Sequence, residues 1–320
     1  MDLRICQRSS LSLVLLLQIL MLLQVGTARP KKPEPQQEQA DSVNAVITDT
    51  TGTLLLALID RIEQMETEIQ ILKKGQQEMR KKGFNGPTHL DGIPVLNVEG
   101  PLPLDCHEIK RRNPQATNGL YNIKPRGGFD ITTAYCDMVT TGGGWTVIQR
   151  RMDGSEDFNR DWRDYSRGFG NPTYEHWLGN EWLNLLTQQY RYKLRVELVD
   201  WDGIKRYAEY SGFEIGSRRQ DFRMRFDDYI AGNASDALAY HKGSSFTTSD
   251  KDNDDTTSVN CATVHNGGWW FKSCDRVNLN GLYYTRGTYN GQWDDGIEWK
   301  LEDGPPFHSL RSTEMKIKPM

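Results

Sequence analysis

Short CxxC pairs, an HExxH helix and a GxSxG elbow are all missing from this 320-residue chain. Their absence removes the commonest zinc-site and serine-nucleophile signatures, and the 6 histidines, at 89, 107, 176, 241, 265 and 308, are scattered. The sequence offers no enzyme signature. Basic residues are not in surplus: Lys and Arg total 39 against 43 Asp and Glu, for a net charge of −4. That balance excludes a nucleic-acid partner held by bulk electrostatics. The glycine-rich TTGGGW, residues 140–145, lacks the Gly-Lys-Ser/Thr of a phosphate loop and reads as a tight turn. No Gly-X-Y repeat is present, so there is no collagen stalk. The long apolar run LSLVLLLQILMLL, residues 11–23, falls short of the ~20 residues of a membrane span, which argues against membrane insertion.

That same run, preceded by Arg4 and Arg8 and followed by the small residues GTA at 26–28, reads as a cleaved secretory signal over residues 1–28. The mature chain is then extracellular. Of the 5 cysteines, Cys6 leaves with the signal, and Cys106, Cys136, Cys261 and Cys274 remain for two disulfides. Three pairings are open, of which neighbours in order is the simplest. Residues 29–42 form a polar, proline-rich leader without means to build a core. Within 43–82, Leu55, Leu58, Ile62, Met65, Ile69, Leu72 and Met79 recur at coiled-coil spacing. In parallel chains Arg61 would meet Glu66, and Glu68 would meet Lys73, so a homo-oligomer is expected through this helix. Residues 83–101, rich in Gly and Pro, read as a linker.

The 9 Trp, 13 Tyr and 10 Phe lie almost wholly beyond residue 80, which places a large core in the C-terminal two-thirds. Trp145, Trp162, Trp177, Trp201 and Trp269 are expected to pack in it. GWTVIQRR (144–151) has strand character, and residues 190–210 suggest two strands joined across Asp202-Gly203. NEWLNLLTQQ (180–189) has helical spacing. Asn233-Ala234-Ser235 is a glycosylation sequon, whereas Asn171 is followed by Pro.

One polar run, TSDKDNDDTTSVNC (248–261), gathers Asp250, Asp252, Asp254 and Asp255 before a cysteine. It is not an EF-hand: counted from Asp250, position 6 is Asp255 rather than Gly and position 12 is Cys261 rather than Glu. Taken alone, it reads as a solvated acidic loop.

Residues 136–170 (CDMVTTGGGW through RGFG), HWLGNEWLNLLT (176–187), NGGWWFKSCDRVNLNGLYY (266–284) and the closing EMKIKP (314–319) together resemble the C-terminal domain of fibrinogen-related proteins. The resemblance covers about residues 102–320. It implies an α+β fold built on a twisted antiparallel sheet, preceded here by a short parallel coiled-coil helix. It also implies disulfides Cys106–Cys136 and Cys261–Cys274, and a recognition module without enzymatic activity. The family's calcium loop maps onto the acidic run, with Asp252 and Asp254 as side-chain ligands of Ca²⁺ and carbonyls of Thr256 and Ser258 completing the set. One extra residue before Cys261 shifts the carbonyl alternative to Thr257 and Val259.

The family's ligand pocket maps onto His265, Ser273, Cys274, Asp275, Trp293 and Asp294, with a cis peptide expected before Cys274. In lectin members this pocket takes acetyl groups of N-acetylated sugars. Here Asp275 stands where those lectins usually have His, and Trp293 where they have Tyr, so the pocket is acidic and suits a cationic group. Two functions follow from the resemblance. One is an oligomeric calcium-binding lectin of innate defence that binds acetylated or other surface glycans. The other is an angiopoietin-like extracellular ligand of a cell-surface receptor.

Overall fold

Strict alternation of inward and outward residues sets the centre of the domain. In this computed structural model, residues 61–62, 65–67, 70, 89–287, 294–300 and 309–320 are described. The signal, the leader, most of the coil and Trp293 lie outside them. The chain divides into two units, Met1–Phe84 and Asn85–Met320. In the first, the described residues are helical, and Ile62 and Met65 of the apolar seam are 52% and 49% exposed.

The second unit opens with β1 (His89–Leu90) and β2 (Ile93–Leu96), an antiparallel pair inside the stretch read as a linker. The reason is a turn at Asp91-Gly92, both with positive φ (48° and 79°), which the dipeptide accommodates with little strain. Helix α1 (Cys106–Arg112) follows, its first turn capped by Asp105, which accepts from Glu108 N at 2.8 Å. Next come β3 (Gly119–Ile123), β4 (Thr132–Asp137) and β5 (Trp145–Arg151). The turn into β5 needs Gly143: its φ is 66°, and a Cβ there would lie 2.1 Å from the Met138 carbonyl.

Helix α2 (Trp162–Arg167) is capped by Asp161, and the short strands β6 (Phe169–Gly170) and β7 (His176–Trp177) lead to α3 (Asn180–Thr187). β8 (Tyr192–Val199) buries Tyr192, Leu194, Val196 and Leu198 on one face. It turns through Gly203 into β9 (Lys205–Ile215), with Val199 opposite Lys205. Strands β10 (Met224–Arg225) and β11 (Tyr229–Gly232) pair with β9. Beyond the acidic run lie α4 (Cys261–Val264), the small ladder of β12 (Val277–Asn278) and β13 (Glu298–Trp299), and β14 (Ser312–Pro319).

β14 inserts between β5 and β8, so the last residues of the chain form a central strand of a sheet ordered β1-β2-β3-β4-β5-β14-β8-β9-β10. The pairing is antiparallel except between β2 and β3, which run parallel. Trp145, Trp177, Trp269 and Trp270 are fully or almost fully buried; Tyr165 packs on Trp177, and Phe246 on Trp177 and Trp270. Trp201 departs from expectation: it is half-buried at the β8–β9 turn, edge-on to Tyr283 at 6.1 Å. Disulfides join Cys106 to Cys136 and Cys261 to Cys274.

Candidate functional site

The acidic run is held by its own side chains and by its neighbours. Asp250 accepts from Trp162 N at 2.9 Å and from Thr248 Oγ1 at 2.7 Å, which commits it to the start of α2. Lys251 pairs with Asp221 and places its ammonium 3.9 Å from the centre of the Trp162 ring. Asn253 Nδ2 donates to Phe246 O at 2.7 Å, and Asp255 N donates to Lys272 O at 2.8 Å. Asn260 caps α4 by accepting from Thr263 N at 3.2 Å.

Asp252 and Asp254 are left side by side. Asp254 N donates to Asp252 Oδ1 at 3.2 Å, while Asp254 accepts from Thr256 N at 2.7 Å and Cys261 N at 2.9 Å. Burial pushes the Asp254 carboxyl above its usual range; the charge of Asp252 adds to this, and the two amide hydrogen bonds only partly oppose it. Two adjacent carboxylates over a backbone turn fit a hard, oxygen-seeking cation such as Ca²⁺. Thr256 is half-buried and Ser258 exposed.

On the far side of the Cys261–Cys274 disulfide, the structure brings three of the predicted pocket residues together. His265 Nδ1 lies 2.9 Å from Asp294 O and 3.4 Å from Asp275 Oδ2. The Asp275 side chain is 3% exposed, and burial together with the charge of Asp294 pushes its carboxyl up to about 8, against a weaker pull from Lys300. Ser273 is exposed and its carbonyl accepts from Tyr240 OH at 2.8 Å. Cys274 is half-buried. The peptide bond before Cys274 is trans, contrary to expectation, as is every other described bond. The trans form is the favoured state by about 2.5–4 kcal/mol.

Residues not picked out from the sequence complete the niche. Glu298 brings a third carboxylate, and oxygens of Asp275, Asp294 and Glu298 all lie within 4.8 Å of one another. Asp295 is held by Tyr284 OH at 2.7 Å and Asn266 Nδ2 at 3.1 Å; burial, and then Asp295, push the half-exposed Tyr284 phenol up to about 12. His241 supports the segment from behind. Its Nε2 accepts from Arg276 N at 3.1 Å and Val277 N at 3.0 Å, so its Nδ1 carries the proton and donates to Trp270 O at 2.8 Å. Burial lowers its pKa to about 4, keeping the ring neutral.

Asn233 is exposed; its Oδ1 accepts from Tyr207 N at 2.8 Å, and its Nδ2 lies 3.4 Å from Lys205 O. Among the described residues, no helix is long and apolar enough to cross a membrane.

Comparisons with known proteins agree with this architecture. Residues 102–320 match the family described as fibrinogen beta and gamma chains, C-terminal globular domain. Human angiopoietin-1 is 36% identical over 292 residues, which cover 89% of this chain and 57% of that protein. Fibrinogen-like protein 1 of Mesocricetus auratus is 39% identical over 276 residues, 81% of each. The fibrinogen-like globe domain of human ANGPTL2 superposes with a TM-score of 0.65 at 40% identity, covering 68% of this chain and 99% of that structure. The chain spans about half the length of the angiopoietins it matches.

Proposed function

The chain belongs to the fibrinogen C-terminal domain family, and on that premise we propose that it is a secreted, angiopoietin-like ligand whose globular head engages a cell-surface receptor. The carrying observation is the niche after Cys274. It gathers Asp275, Asp294 and Glu298 and lacks the His that lectin pockets of this family usually offer at the position of Asp275. Angiopoietins and ANGPTL2 among the similar proteins support the same choice. Neither the niche nor the loop is read as a catalytic centre.

The segment 43–82 would join chains through the apolar seam of its sequence, of which Ile62 and Met65 are exposed in the single chain. Several heads per oligomer would raise avidity at a receptor-bearing surface. Asp252 and Asp254, with carbonyls of Thr256 and Ser258, would hold Ca²⁺ and brace the Cys261–Cys274 segment. Asn233, exposed beside β9, is the glycan acceptor.

The competing function is a lectin that binds acetylated or other glycans. A glycan array with and without EDTA, run beside a cell-binding assay on the full chain, separates the two. The receptor reading expects saturable cell binding that survives glycosidase treatment of the cells, with an empty array. Calcium-dependent retention on N-acetylated sugars would sink it and restore the lectin.

A further inference from the structure

Two carboxylates, Asp294 and Glu298, reach the niche beside His265 from a single segment, 294–299. The third, Asp275, stands just before the other strand of the small ladder. The Asp275 side chain is 3% exposed, its Oδ2 has no hydrogen-bond partner among the described residues, and one of its oxygens lies within 4.8 Å of oxygens of the other two. His265 does not supply one: its Nδ1 sits 3.4 Å from that oxygen and is engaged with Asp294 O at 2.9 Å. A buried carboxyl beside two others is satisfied by holding its proton or, when ionised, by a positive charge placed between them.

We propose that Asp275, Asp294 and Glu298 form a divalent-cation site, separate from the acidic loop at 248–261. Oxygens bound to one Ca²⁺ at ~2.3–2.6 Å lie no more than roughly 5 Å apart, and the three carboxylates here fall within 4.8 Å of one another. An all-oxygen donor set selects a hard ion such as Ca²⁺ or Mg²⁺ rather than zinc or copper.

The frame is already built. Asp275 stands two residues before β12, Glu298 lies in β13, and the strands pair at Val277–Trp299 and Asn278–Glu298. Lys300 N donates to Arg276 O at 2.9 Å, His241 holds the amides of Arg276 and Val277, and the Cys261–Cys274 disulfide anchors the preceding residue. A bound ion would therefore tie the 294–298 segment to the disulfide loop with little rearrangement.

Calorimetric titration of the full secreted, EDTA-stripped chain with CaCl₂, and separately MgCl₂, tests this. The wild type is expected to bind two equivalents of Ca²⁺. Asp252→Ala with Asp254→Ala should leave one. In that background Glu298→Gln, a half-buried isosteric change, or Asp275→Asn should weaken the remaining site at least tenfold, with near-UV circular dichroism unchanged. The inference is overturned if the loop variant binds no ion, or if its remaining equivalent ignores both niche substitutions. It is also overturned if glycinamide, an organic ammonium, fills the niche and neither divalent ion displaces it. Failure of the loop assignment looks different: wild type and loop variant would then bind the same number of ions.

Discussion

Arg151 and Glu175 meet inside the protein, 3.7 Å apart, with side chains 2% and 0% exposed. Each carries a separate set of backbone contacts. Glu175 Oε1 accepts from the amides of Met152, Asp153 and Gly154 at 2.7, 3.1 and 3.0 Å, and Oε2 accepts from Glu156 N at 3.0 Å. Arg151 Nη1 donates to Gly281 O at 2.7 Å and Leu279 O at 3.3 Å. The pair thus links the turn after β5 to the segment that follows β12. Glu175→Gln removes the charge and turns an amide donor towards backbone N–H groups. The expected loss is about 3–5 kcal/mol of unfolding free energy, read from urea denaturation. A loss below ~1 kcal/mol would show that the pair is not a strut.

A second buried charge network lies on the opposite side of the central strand. Lys316 Nζ, its side chain 1% exposed, contacts Asp137 at 2.7 Å, Glu197 at 2.9 Å and Glu314 at 3.0 Å. Burial alone would raise the Asp137 carboxyl, but hydrogen bonds from Lys316 and Thr140 outweigh it and hold the group well below the usual carboxylate range. Lys316→Met leaves three carboxylates without their shared cation. It should cost about 3–5 kcal/mol, and adding Asp137→Asn should recover part of the loss. Equal stability of the single and double variants would contradict this coupling.

Acid sensitivity should trace to His241. Its ring is neutral in the fold because burial disfavours the charged form, with Lys272 and Arg276 adding repulsion and the Trp270 carbonyl opposing it; the edge of Tyr240 covers the ring at 5.2 Å. The pKa falls from 6.5 to about 4, so between these values the unfolded chain takes up a proton that the folded chain refuses. The stability this residue contributes is complete above about pH 6.5 and is lost as pH falls towards 4, on the order of 3 kcal/mol. His176, lowered to about 3 by burial and Arg150, acts in the same direction. The difference in melting temperature between wild type and His241→Gln should therefore shrink as pH drops from 7 to 4. A constant difference would assign the ring a packing role alone.

How far these features were readable in the chain depends on how local their signals are. Asp202-Gly203 announces its hairpin because turn and flanking strands lie within a few residues, and the register follows. Asp91-Gly92 carries the same dipeptide, yet Pro94 and very short strands hide it, and β2 gains its main partner, β3, from residues 120–121. The acidic run shows its aspartates plainly and the family resemblance singles out Asp252 and Asp254, but the physical reason that Asp250 stands apart, its contact to Trp162 N, is tertiary. Glu298 was not legible at all. It joins Asp275 through β12–β13 pairing between segments about twenty residues apart, and no local spacing relates the two. His241 is hidden for the same reason: its partners Trp270, Arg276 and Val277 lie some thirty residues away.

The acidic loop makes the last prediction. Asp254 ties the loop to the disulfide by accepting from Cys261 N at 2.9 Å, while its own charge is strained by burial and by Asp252 beside it. A cation there would relieve the repulsion and lock the Cys261 end of the segment that leads to Asp275. Added Ca²⁺ should therefore raise the melting temperature of the wild type, with the gain set by binding to the folded state alone. Asp252→Ala with Asp254→Ala should lower the melting temperature measured in Ca²⁺ and reduce the response to that of the Asp275 niche. Adding Asp275→Asn should reduce what remains. Differential scanning calorimetry in EDTA and in millimolar CaCl₂ reads all three proteins. A calcium response in the loop variant equal to that of the wild type would return residues 248–261 to a solvated loop.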